Sequence, residues 1–128
     1  MTKKIFIVED ENDLMEFYID ALETSGYEIV GWSMNGIEAV EKFAGLAEKP
    51  DVVIMDHRLP GQSGVEAARQ ILKIDPAAKF IFASADASIE PDARTLGIAS
   101  FKRKPFSLER LLNNIDKATN GKVHQKTE

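Results

Sequence analysis

Five short apolar runs alternate with five stretches in which apolar residues recur every three or four positions. The runs are Ile5 to Val8, Glu28 to Ser33, Val52 to Met55, Lys79 to Ala83 and Ala99 to Lys102. Their length and β-branched content predict strands. Leu14, Phe17, Tyr18, Ala21 and Leu22 predict a first helix, capped by Asn12 or Asp13 and stopped by Gly26. Asn35-Gly36 is a turn, after which Ile37, Val40, Phe43, Ala44 and Ala47 mark a second helix that ends before Pro50. Val65, Ala68, Ile71 and Leu72 mark a third, closed by Asp75-Pro76. Ser88 caps a fourth with Ile89, Ala93 and Leu96 inward, Pro91 in its first turn and Gly97 at its end. Ser107 caps the last, whose stripe is Leu108, Leu111, Leu112, Ile115 and Ala118, with Gly121 as its stop. Strict strand–helix alternation predicts an α/β fold with a doubly wound, five-stranded parallel sheet. Right-handed crossovers then place every strand's carboxyl end on one edge.

Polar residues gather at that edge, while the strand interiors stay apolar. Val52 to Met55 reads as a strand buried on both faces, and it ends on Asp56 before the Leu59-Pro60-Gly61 turn. The first run ends in Glu9-Asp10-Glu11, the fourth delivers Ser84, and the fifth leads to Lys104. Open α/β sheets bind ligands at this edge. Taken singly, each residue has an ordinary explanation: an acidic helix start, a turn aspartate, a loop serine, a surface lysine. Their joint occurrence at four strand ends is what points to a site.

Clustered carboxylates repel. Two unit charges ~4 Å apart interact by roughly 4 kcal/mol at an effective dielectric of about 20. Either a proton or a cation must intervene. Oxygen-only ligands select a hard divalent ion, and Mg²⁺ suits one or two carboxylates plus a phosphoryl oxygen; Mn²⁺ is the expected substitute. Asp56 is then a nucleophile that carries a phosphoryl group. Lys104 neutralises the developing charge, and the Ser84 hydroxyl donates to a phosphoryl oxygen.

Composition narrows the class. The chain has 128 residues, 44% of them hydrophobic, which suits one domain over residues 1–121 and a disordered polar tail over 122–128. It has no cysteine, so disulfides and thiolate metal sites are excluded. The net charge of −5 argues against a nucleic-acid surface. No run approaches the ~20 apolar residues of a membrane span, and the N-terminus lacks a signal-peptide pattern, so a cytoplasmic location is expected. Trp32 and Met34 read as packing residues. Alternation sends His57 to the sheet face opposite Asp56.

The chain resembles the receiver domain of two-component response regulators, the CheY-like family, over roughly residues 3 to 120. The resemblance is carried by Val8-Glu9-Asp10-Glu11, by Met55-Asp56-His57-Arg58-Leu59-Pro60-Gly61 with Gly64, by Ala83-Ser84-Ala85 and by Lys104-Pro105-Phe106. It implies strand order 2-1-3-4-5, with Asp56 as phosphoacceptor. It implies that Asp10 and Asp56 ligate Mg²⁺ directly, with the backbone carbonyl of Arg58, and that Glu9 acts through a water. Ser84 resembles the switch hydroxyl, Phe101 the switch aromatic and Lys104 the family lysine, preceding a cis bond to Pro105. Glu9, Ser84 and Phe101 stand where the family more often has aspartate, threonine and tyrosine.

The resemblance also implies a signalling protein rather than an enzyme acting on an external substrate, its chemistry confined to self-phosphorylation from a donor and autodephosphorylation. The expected partners are a sensor histidine kinase or histidine phosphotransfer protein and a downstream effector protein. A homodimer through the fourth-helix, fifth-strand, fifth-helix face is a further family option; no nucleic acid or membrane is engaged directly. Lys102-Arg103 reads as part of a partner face, and Arg58 as a cover over the site entrance that tunes hydrolysis. Two other readings fit the pattern less well. A haloacid-dehalogenase-type Mg²⁺ phosphatase needs Asp-x-Asp, and Arg58 stands at the second aspartate. A flavodoxin-like carrier needs a phosphate-binding first loop, and Glu9 to Asp13 would repel a phosphate.

Overall fold

The computed structural model describes residues 2–104 and 107–119. Its elements run in the order β1 (Lys4–Val8), α1 (Asn12–Thr24), β2 (Glu28–Ser33), α2 (Gly36–Gly45), β3 (Val52–Met55), α3 (Gly64–Ile74), β4 (Phe80–Ser84), a 3₁₀ turn (Ala87–Ile89), α4 (Glu90–Arg94), β5 (Ser100–Arg103) and α5 (Leu108–Thr119). The strands form one parallel sheet in the order β2-β1-β3-β4-β5. The expected doubly wound architecture and strand order are both present. The cis Lys104–Pro105 bond, Phe106, the Gly121 stop and the 122–128 tail lie outside the described residues.

Alternation along the strands sorts the core into two layers. Ile5 and Ile7 of β1, Val52 and Ile54 of β3 and Ile81 of β4 face α1 and α5, where they meet Met15, Tyr18, Leu22, Leu111 and Ile115. Phe6, Val8, Val53, Met55, Phe80 and Phe82 face α2, α3 and α4, where they meet Ala39, Phe43, Ala68, Ile71 and Ala93. Strands buried on both faces are the reason these sequences read as continuous apolar runs.

Several local expectations are corrected. Neither Asn12 nor Asp13 caps α1: the N-cap is Glu11, without a side-chain hydrogen bond. Asp86, not Ser88, caps the turn before α4, its Oδ1 accepting from the Ser88 N–H at 3.0 Å. The fourth helix begins as a 3₁₀ turn and continues as only five α-helical residues. Phe17 is 51% and Ile37 50% exposed. The buried stripes are Met15, Tyr18 and Leu22 on α1 and Ala39 and Phe43 on α2, so both side chains fall off the inward face. Trp32 is not a packing residue. It is 45% exposed on the edge strand β2, with the Lys42 ammonium 4.8 Å from its ring centroid. Met34 does pack against the α1/α5 layer.

Candidate functional site

Three strands continue their hydrogen-bond ladder one residue past the strand end, and each extra residue is a site residue. The Glu9 N–H donates to the Ser33 carbonyl at 3.0 Å, the Asp56 N–H to Val8 at 3.0 Å and the Lys104 N–H to Ser84 at 2.9 Å. The ladder fixes where the side chains point. Glu9 continues the Ile5–Ile7 row, Asp56 the Val52–Ile54 row, and Lys104 the row opposite Phe101, so all three rise from the α1/α5 face. Ser84 continues the Phe80–Phe82 row and approaches from the other face.

The geometry joins what the sequence left as separate strand ends. The Lys104 Nζ lies 2.8 Å from Glu9 Oε1 and 3.7 Å from Asp56 Oδ2. One carboxylate oxygen each from Glu9, Asp10 and Asp56 lies within 4.8 Å of the other two. Glu9 is 1% and Asp56 6% exposed, whereas Asp10 is exposed at the mouth. Asp56 Oδ1 accepts from the His57 N–H at 2.8 Å. Oδ2 faces the ammonium.

Burial raises the Asp56 carboxyl above its ordinary pKa; the Lys104 charge and the His57 N–H oppose this, and Asp10 adds to it. Burial likewise raises Glu9, against its hydrogen bond to Lys104, with Asp56 adding. One ammonium therefore does not compensate the buried acids. An oxygen-only cluster with a charge deficit and one exposed member at the mouth is what a hard divalent cation fits. Glu9, Asp10 and Asp56 would hold it.

The acceptor strand is locked from behind by Gly64, the first residue of α3. Its N–H donates to the His57 carbonyl at 2.8 Å. A Cβ at Gly64 would stand 2.0 Å from the Asp56 carbonyl oxygen and 2.8 Å from the His57 Cα. The loop between is docked on α2. The Gly36 N–H donates to the Pro60 carbonyl at 3.0 Å, and Gly61, at φ +82°, turns beneath the Asn35 side chain that caps α2.

Ser84 is fully buried, and its hydroxyl accepts from the Asp86 N–H at 3.1 Å. Phe101 is turned inward, stacked on Phe82 with centroids 6.5 Å apart and planes 8° from parallel. Arg58 is exposed, its guanidinium 3.5 Å from Asp86 Oδ2. His57 is partly buried, and its Nδ1 has no hydrogen-bond partner among the described residues; burial lowers its pKa, and the nearby charges are Asp86, Arg58 and Asp92.

Sequence reasoning passed over Asp86, which ties Ser84, Ser88 and Arg58 together; the Asp-x-Ser spacing of an Asx turn was the available signal. It also read Tyr18 as apolar stripe and gave its hydroxyl no role.

Comparisons with known proteins bear on the family and the fold. The profile of the family described as response regulator receiver domain matches residues 5–116. The chemotaxis protein CheY of Thermotoga maritima is 37% identical over 121 residues, covering 93% of this chain and 99% of that protein. The response regulator receiver protein CpdR of Brucella abortus is 36% identical over 118 residues, covering 90% and 95%. The response regulator TrrA of Thermotoga maritima, solved in complex with Mg²⁺ and a beryllium fluoride, superposes with a TM-score of 0.80 at 32% identity, covering 91% of this chain and 99% of that one. A CheY-like receiver domain from Methanospirillum hungatei shares the fold at a TM-score of 0.88 and 24% identity, covering 98% and 99%.

Proposed function

Because the chain belongs to the response regulator receiver domain family, whose profile spans residues 5–116, we propose that Asp56 is the residue through which this receiver takes up its phosphoryl group. The observation that carries this is the position of Asp56: buried, with one oxygen held by the His57 N–H and the other facing Lys104, beside Glu9 and Asp10.

The chemistry is transfer from a phosphohistidine on a sensor kinase or a histidine phosphotransfer protein. Asp56 Oδ2 attacks phosphorus, an O–P bond forms, and the donor's N–P bond breaks, its imidazole nitrogen taking a proton from solvent. The His57 N–H holds Oδ1, so the attacking oxygen is fixed in direction. Lys104 balances charge on the phosphoryl oxygens, and the Ser84 hydroxyl donates to one of them. A divalent ion held by Asp10 and Asp56, the Arg58 carbonyl and, through a water, Glu9 supplies further positive charge to those oxygens. Mg²⁺ is the natural occupant, with Mn²⁺ as substitute.

As the Ser84 side chain turns toward the phosphoryl group, it frees space for Phe101 to shift against Phe82. The α4–β5–α5 surface then changes shape, and a downstream effector, or a second copy of the chain, reads the change by binding one state better. The chain is a switch whose own chemistry is self-phosphorylation and autodephosphorylation, acting in the cytoplasm. The proposed receiver domain covers residues 1–121. Among the described residues, no helix is long and apolar enough to cross a membrane.

The test is direct. Acetyl phosphate with Mg²⁺ should add one phosphoryl group by mass, and the label should map to the peptide containing Asp56. A label on any other peptide overturns the assignment.

Arg58 sets the lifetime of that label. Its pairing with Asp86 bridges the loops after β3 and β4 at the mouth of the site. An exposed pair of this kind contributes little to stability. Arg58→Ala should therefore leave thermal unfolding almost unchanged while speeding autodephosphorylation about 2- to 5-fold, as water reaches the acyl phosphate more easily. An unaltered rate of label loss removes Arg58 from this role.

A further inference from the structure

Tyr18 carries a hydroxyl that nothing in the described structure satisfies. The residue is 2% exposed, and its Oη is buried without a hydrogen-bond partner. An orphaned hydroxyl is costly, and native structures rarely leave one unused. The position tells what it serves. Tyr18 lies on the inward stripe of α1, against the sheet face that also carries Ile7 and Ile54. Side chains on a helix tilt toward its N-terminus, so the phenol points toward the carboxyl edge of β1 and β3. The next residues in those two rows are Glu9 and Asp56. Burial chiefly holds the phenol well above its ordinary pKa, and the charges that add to it are Glu9, Asp56 and Glu11.

In the described state Glu9 already has a donor, the Lys104 ammonium at 2.8 Å. That ammonium is also the group required by a phosphoryl oxygen on Asp56, so phosphorylation draws it off Glu9. Glu9 is 1% exposed, and its Oε1 then loses that donor, while Oε2 keeps the Glu11 N–H at 3.2 Å. The geometry points to Tyr18 as a positioning residue: its hydroxyl is a reserve donor that takes up the Glu9 carboxylate, directly or through one water, when Lys104 turns to the phosphoryl group on Asp56. This rests on Asp56 being the acceptor and goes beyond it. The hydroxyl is idle in the resting protein and engaged in the phosphorylated one. Its cost therefore falls on the resting state and its gain on the active state, which biases the switch.

Tyr18→Phe removes the hydroxyl and keeps the ring, so the packing of the α1/α5 layer is preserved. The resting variant should unfold at the same temperature as the parent or slightly above it, since an unsatisfied hydroxyl is lost. Its affinity for beryllofluoride with Mg²⁺, the phosphoryl mimic, should fall about tenfold, the effect of losing one hydrogen bond to a charged group. A second readout is spectroscopic. Adding the mimic to the parent protein should shift a tyrosine absorption band to the red as the phenol begins to donate to a carboxylate, and the shift should vanish in Tyr18→Phe, which retains Tyr27.

The outcomes separate cleanly. If the parent protein does not bind the mimic, the Asp56 assignment fails first. If the parent binds and Tyr18→Phe binds equally well, the reserve-donor role alone is overturned. A resting variant that unfolds several degrees lower also overturns it, because the hydroxyl was then already engaged.

Discussion

Asp56→Asn is expected to abolish phosphoryl uptake and, at neutral pH, to raise the unfolding temperature. The first effect follows because an amide is not a competent nucleophile toward phosphorus, so no label should appear by mass under conditions that fully label the parent. The second follows from burial. The folded protein holds the Asp56 carboxyl above its ordinary value of 3.8, so the folded state binds a proton more tightly than the unfolded chain does. Such a group favours folding at low pH and disfavours it as pH rises through the raised folded value. At neutral pH the ionised Asp56 therefore subtracts from stability, with burial as the main cause. Asparagine removes the charge, and its Oδ1 still accepts from the His57 N–H. As pH falls through the raised folded value the parent carboxyl takes up its proton, and the difference between the two proteins should shrink. Glu9, raised above 4.5, adds a dependence of the same sign that the variant retains. Mg²⁺ should reverse the comparison at neutral pH, raising the unfolding temperature of the parent far more than that of the variant. Thermal melts between pH 4 and 7.5, with and without Mg²⁺, check this. A variant less stable than the parent at pH 7.5 without Mg²⁺ would mean that Lys104 outweighs burial.

Gly64→Ala should cost substantial stability, as should Gly36→Ala, whose Cβ would stand 2.1 Å from the Gln62 carbonyl oxygen. At Gly64 the added Cβ would sit 2.0 Å from the Asp56 carbonyl oxygen, and both the obstacle and the residue carrying it are backbone. No side chain can rotate away. Either α3 lifts from β3, breaking the Gly64 N–H bond to the His57 carbonyl, or the acceptor peptide is pushed out of its ladder. Overpacking of this severity costs about 3 kcal/mol or more, which in a domain of this size lowers the unfolding temperature by roughly 10 °C. Phosphoryl uptake should fall in parallel, since the same displacement moves Asp56. Gly45 is the internal control. It closes α2, and a Cβ there meets nothing within 4 Å. Gly45→Ala should be neutral or slightly stabilising, by up to about 1 kcal/mol, because alanine is the better helix former. If the two variants melt together, the Gly64 contact is not what holds the acceptor loop.

The two substitutions separate kinds of information that the chain carries. That Asp56 is special was legible in one dimension: an apolar run buried on both faces, then a lone carboxylate, then Pro-Gly. The special status of Gly64 was legible only as part of the family resemblance. Its physical reason, a helix start pressed on the acceptor's own carbonyl, needs the three-dimensional path of the loop. The same division runs through the errors. Phe17 and Ile37 follow helical spacing and Trp32 reads as a packing residue, but neither reading says which side of a stripe or which flank of an edge strand lacks a neighbour. Two partners of Asp86, Ser84 and Ser88, lie two residues away, but Arg58 comes from the loop after β3 and meets it only across the sheet edge.

The alternation of five apolar runs with five amphipathic stretches was enough, by itself, to specify the element order and a common edge for the strand ends. Those are consequences of local periodicity and of the handedness of crossovers, which act on any sequence with this pattern. Tertiary structure alone decided that Glu9, Asp56 and Lys104 share one sheet face, that one ammonium serves two buried carboxylates, and that the Tyr18 hydroxyl lies in the same layer with no partner among the described residues. Those facts depend on the register in which β1, β3 and β5 continue past their ends. A shift of a single residue in any of them would turn its side chain to the opposite face, and no composition or spacing records that choice.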